Sequence, residues 1–140
     1  MTDRVLTNTV LKSAGRFDTL FQRCVAQHGR FGHTAHIHLA WLLLEESSAL
    51  EGLATFNSGL LALAQRLKLS DKYNATLTTI YFVLVLERRQ PGQSWDDFAA
   101  QNADLLNWER RAQFLGPFYD LDELNSEAAR LGFMMPHLPE

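Results

Sequence analysis

The sequence predicts an all-α fold, a single-domain bundle of five to seven helices. Three observations carry this. Apolar residues recur at three- and four-residue spacings along most of the chain. The segments so patterned are separated by short Gly, Pro, Ser and Asp clusters of the kind that cap and end helices. No stretch shows the alternation of apolar and polar residues that marks a half-buried strand.

Residues 1–12 carry no clear helical period and are expected to form an arm, a short extended piece or the frayed start of a helix. Over residues 16–27, Phe17, Leu20, Phe21, Cys24 and Val25 fall on one face, and His28-Gly29-Arg30-Phe31-Gly32 ends that helix. A second helix is predicted over residues 33–46. Its core stripe is His36, Leu39, Ala40 and Leu43, widened by Trp41 and Leu44, while His38 should point away to the surface or to a loop carbonyl. Ser47-Ser48 caps a third helix over 49–68, with Gly52 and Gly59 as close-packing points.

Ser70-Asp71 is expected to cap a fourth helix over 72–89, which contains the apolar run 80–86. The β-branched and aromatic content of that run would suit a strand. Its setting, a long segment without Gly or Pro, favours a helix, and a helix apolar on all sides belongs at the centre of a bundle. Pro91-Gly92 ends it. Ser94-Trp95-Asp96-Asp97 reads as the capping start of a short fifth helix. A sixth should begin at Asn102 or Asp104 and close at Gly116-Pro117. A short last helix over 126–131 leads to Gly132 and to an apolar tail, 133–140, lying across the bundle.

Composition narrows the function classes. The 140 residues suit one domain. A hydrophobic share of 46% against 21% charged residues is globular rather than disordered. Thirteen basic and 16 acidic residues give a net charge of −3, and the pairs Arg88-Arg89 and Arg110-Arg111 are flanked by Glu87 and Glu109. No basic stripe for nucleic acid is present. The run 80–86 is far short of the roughly 20 apolar residues that span a bilayer, so no membrane partner is expected. The single cysteine, Cys24, cannot form an intramolecular disulfide and sits in an apolar rhythm, which reads as a buried structural thiol in a reducing, cytoplasmic compartment.

The residues that could carry chemistry gather at two helix starts. His33 and His36 stand three apart and share a helix face, so their imidazoles can converge and could supply part of a site for Zn, Cu or Fe. The same spacing arises by chance, with one ring satisfying a carbonyl and the other half exposed. The start of the fourth helix brings Tyr73, Asn74 and Thr76, which could line a polar pocket facing the histidines or could satisfy themselves against backbone carbonyls. Glu45 and Glu46 read as solvated helix-end carboxylates. The E-x-x-H pattern of di-iron bundles is absent, as are H-E-x-x-H, C-x-x-C, the P-loop and the serine hydrolase elbow.

In order along the chain, His33-Thr34-Ala35-His36, Leu39-Ala40-Trp41, Tyr73-Asn74-Ala75-Thr76-Leu77-Thr78, Asn102-x-Asp104-Leu105-Leu106, Ser126-x-x-Ala129-Arg130 and Pro136-x-Leu138 resemble an uncharacterised family of small bacterial helical proteins. The resemblance implies no particular activity. It does imply a histidine after the tyrosine of the second motif, where this chain has Asn74, and an amide is a poor ligand for the metals that imidazole suits. Two functions follow as expectations. The first is a small-molecule or metal site, which could be that of an enzyme, between the helices starting near His33 and Tyr73. The second is a non-enzymatic interaction module, a homodimer or accessory subunit, presenting Trp95, Trp108, Phe118 and Tyr119 to a protein partner.

Overall fold

The structure, a computed structural model, describes residues 2–137, with side chains from residue 14 onward, and among these every regular element is helical. Helix α1 spans Thr2–His28 and so covers residues 2–12, expected to form an arm, a short extended piece or the frayed start of a helix. Helices α2 (His33–Glu46), α3 (Ala49–Arg66) and α4 (Ala75–Arg88) follow, then the short α5 (Trp95–Gln101), α6 (Ala103–Leu106), α7 (Arg111–Leu115) and α8 (Glu127–Leu131). No helix is long and apolar enough to cross a membrane among the described residues.

Two chain turns fix how the first helices meet. Gly29 ends α1 at φ 79°, a left-handed conformation that costs glycine nothing and other residues about 1–2 kcal/mol. At the next turn Ser48 accepts a hydrogen bond from the amide of Glu51 and caps α3. Helix α2 then lies against α1, α3, α4 and α6. Every residue from Ile37 to Leu44 is buried, so α2 is the core helix on all its faces.

This corrects the reading of His38. It is only 2% exposed: His28 at the end of α1 lies against it, with Nε2 2.9 Å from His38 Nδ1, and its ring stacks at 4.1 Å on Trp95 at the start of α5. Helix α4 is less central than its apolar run suggests: Tyr81, Phe82 and Val85 are buried, whereas Val83 and Leu86 stay exposed. Cys24 is fully buried, and burial pushes its thiol up to about 11.

Two boundaries also differ from expectation. The fourth helix does not start at Lys72. Ser70–Lys72 forms a separate 3-10 turn, Tyr73 is extended, and Asn74 is the cap, accepting from the amide of Leu77 at 2.9 Å. The expected sixth helix is broken into α6, a 3-10 turn at Trp108–Arg110, and α7. The break lies at Asn107, which is extended and whose side chain accepts from the amide of Glu109. That split raises the number of helices to eight among the described residues.

The tail has no regular secondary structure as far as His137, and its last three residues lie outside the described residues. Thr76 holds it: the threonine hydroxyl donates to Gly132 O and accepts from the Met134 amide, both at 2.9 Å. The Tyr119 hydroxyl donates to Met134 O, and the His137 amide to Phe118 O.

Candidate functional site

A cavity of about 500 Å³ opens between α1, α2, α3 and α4, within the roughly 300–1,000 Å³ range of ligand pockets. Its walls are chiefly apolar. Helix α1 and the turn after it contribute Phe21, Phe31 and Gly32; α3 contributes Phe56, Leu60, Leu63 and Ala64. Leu67, Leu69 and Lys72 line it where the chain passes from α3 to α4. These three are exposed, so the cavity reaches the surface there. Trp108 and Tyr81 close the end near α6.

His33, His36, Tyr73 and Asn74 all line this one cavity, joined by Thr78. Thr76 does not line it; helical geometry turns its hydroxyl to the tail, to which both its hydrogen bonds go. The cavity is less polar than the residue types at the start of α4 suggested, because those side chains spend their polar atoms on the protein itself. Tyr73 donates its hydroxyl to Asn57 Oδ1 at 2.8 Å, and Asn57 in turn donates to Leu53 O. Asn74 uses both ends of its amide, Oδ1 as the α4 cap and Nδ2 as a donor to Leu124 O at 2.6 Å.

The two histidines are different. His33 Nε2 lies 2.9 Å from Leu105 O, and His36 Nδ1 lies 2.8 Å from Gly32 O. A carbonyl oxygen can only accept, so each of these nitrogens carries the proton. Burial lowers the pKa of both imidazoles below the ordinary value of 6.5, which keeps them neutral at pH 7. A neutral imidazole has one proton, so His33 Nδ1 and His36 Nε2 are bare lone pairs. Neither has a hydrogen-bond partner among the described residues.

Aromatic rings hold both histidines in place. Phe31 lies on His36 with ring centres 4.2 Å apart, while Tyr81 and Trp108 meet His33 edge-on at 4.9 and 5.3 Å. The Tyr81 hydroxyl is buried with no partner among the described residues, and burial drives its pKa far up. The roles of Phe31, Tyr81 and Trp108 were not legible from spacing alone, since each comes from a different element. Among the described residues Lys72 is the one charged residue lining the cavity, and no carboxylate lines it.

As metal donors the pair is incomplete: among the described residues no His, Cys, Asp or Glu joins them in a group of three. Of the aromatics considered for a partner surface, Tyr119 is buried, Trp95 is half-buried against His38, and Trp108 and Phe118 are each 39% exposed. Comparison with protein-family models, curated proteins and solved structures returns no match.

Proposed function

We propose that this protein binds a small, largely apolar molecule in the cavity between α1, α2, α3 and α4. The observation that carries the reading is the coincidence of an apolar cavity of about 500 Å³ with two imidazoles whose second nitrogens are uncommitted. Ligand pockets are mostly apolar and place a few polar groups to orient the bound molecule. A neutral imidazole with a free nitrogen is also the form required of a general base, so the same pair could serve a reaction on that molecule. A Zn, Cu or Fe site at His33 and His36 has less support, because structural and catalytic sites for such metals draw on three or four protein ligands.

The test is binding of N-phenyl-1-naphthylamine, a neutral dye that brightens in apolar surroundings. The parent should enhance its fluorescence saturably. Ala64→Trp, which fills the cavity, should abolish the enhancement, while Ala62→Trp on the exposed side of α3 should retain it. Equal enhancement by both variants would reject the cavity as the binding place.

A second reading, a homodimer or protein partner, is favoured by one feature, the exposed apolar residues Leu131, Phe133 and Met135 after α8, at 66, 51 and 71%. Light scattering across a concentration series decides it: a monomer throughout would remove the homodimer.

A further inference from the structure

The chemistry of the cavity wall narrows the ligand class. The two uncommitted nitrogens, His33 Nδ1 and His36 Nε2, can accept a hydrogen bond and cannot donate one, because the single proton of each ring is fixed on the opposite side by Leu105 O or Gly32 O. The polar end of a ligand that satisfies them must therefore be a donor. An oxyanion or an ether could accept a hydrogen bond from the Tyr81 hydroxyl on the same wall, unpartnered among the described residues, but would leave both imidazole nitrogens unsatisfied. A hydroxyl can accept from Tyr81 and donate to a histidine.

Charge removes a second class. A protonated amine is a donor too, but among the described residues no carboxylate lines the cavity to balance it. Cations nearby include Lys72, on the wall, Arg30, whose guanidinium packs against Gly32, and Arg111, whose guanidinium sits 4.6 Å from the Trp108 ring centre and already occupies that ring as a cation–π partner. Burying an ammonium among these groups without a counter-ion is costly.

We infer that the ligand is a neutral, largely apolar alcohol or phenol whose hydroxyl donates to the His33–His36 pair, an inference that rests on the ligand-binding reading above. The apolar part would lie along Leu60, Leu63 and Leu77, towards the opening at Leu67 and Leu69.

The experiment compares three compounds of equal size as displacers of N-phenyl-1-naphthylamine: 1-octanol, methyl heptyl ether and octylammonium. Octanol should displace the dye at concentrations about fivefold lower than the ether, the effect of one net hydrogen bond, and octylammonium should be the weakest. In the double variant His33→Phe/His36→Phe, octanol and ether should become equivalent. Should that variant fail to fold, ¹⁵N spectra of the imidazole-labelled parent decide alone: octanol should move the resonance of at least one unprotonated ring nitrogen, and the ether should leave both in place.

Equal displacement by octanol and ether in the parent would overturn the inference while leaving the ligand-binding reading intact. So would octylammonium binding as tightly as octanol, an octanol preference that survives in the folded double variant, or ¹⁵N shifts that are the same with both compounds. If none of the three displaces a bound dye, the inference falls while the ligand-binding reading stands on the dye; if the dye does not bind, both fall.

Discussion

At the scale of single residues, the bonds that position the site are made by small groups with little freedom. Gly59 is one. A Cβ built on it would lie 2.1 Å from the ring of Phe17, which is itself 2% exposed and cannot retreat. On helix propensity alone Gly59→Ala should stabilise α3 by about 1 kcal/mol. The packing of α1 on α3 reverses the sign, and the variant should instead lose roughly 1–3 kcal/mol in urea unfolding. A gain would show that α1 sits further from α3. Asn74 is another. Asn74→Ala removes the α4 cap and leaves Leu124 O without its donor, so a loss of about 1–3 kcal/mol is expected, against about 1 for the more exposed Ser94→Ala cap. Equal losses would mean that the bond to Leu124 contributes nothing. The Asn74 result also bears on its place in the second motif: both ends of its amide hold the chain, a role invisible in a sequence that does not say where Leu124 lies.

At the scale of elements, the period of the sequence revealed which segments are helices and left their faces ambiguous. Residues 33–46 read correctly as α2, yet His38 is expected at the surface or at a loop carbonyl, since spacing identifies the richest apolar face and says nothing of what packs on the opposite one. His28 of α1 and Trp95 of α5 do that packing. Asn107 shows the complementary failure, as nothing in the apolar period marks a side chain that recaps the backbone in mid-segment.

The His38 environment has a measurable consequence. Burial first, then His28 and Arg23, pull its pKa down to about 4 from 6.5. The unfolded chain thus binds the proton more readily, and stability present above pH 6.5 should be lost as pH falls towards 4. The full effect is at most about 3 kcal/mol. His33 and His36, also lowered by burial, act in the same direction. Urea unfolding between pH 7 and 5 should show this slope, and His38→Phe, which keeps a ring against Trp95, should flatten it. An unchanged slope in the variant would place the proton uptake elsewhere.

At the scale of the whole molecule, the central helix and the cavity are two sides of one arrangement. Helix α2 is surrounded along Ile37–Leu44, while His33 and His36 of its first turn line the space left between α3 and α4. The convergence of those two rings with Tyr73 and Asn74 was open to inference from two helix starts. The apolar character of the space was not, because it depends on hydrogen bonds to Asn57, Leu124 and the helix ends that only the folded chain brings within reach. The tail belongs to the same frame through Thr76: Thr76→Val should release the segment after Gly132 and speed its proteolysis at Phe133, leaving dye binding within about twofold, since Thr76 lies outside the cavity lining. Strong loss of dye binding would instead join the tail to the site.

The central claim, that a small apolar molecule occupies this cavity with its polar end at the histidines, is tested most directly by intermolecular nuclear Overhauser effects between 1-octanol and the methyl-labelled protein. Contacts from the alkyl chain should appear at Leu60, Leu63 and Leu77, with the carbinol protons close to the His33 and His36 rings. Contacts confined to exposed leucines such as Leu50 and Leu131, or none at saturating octanol, would contradict it.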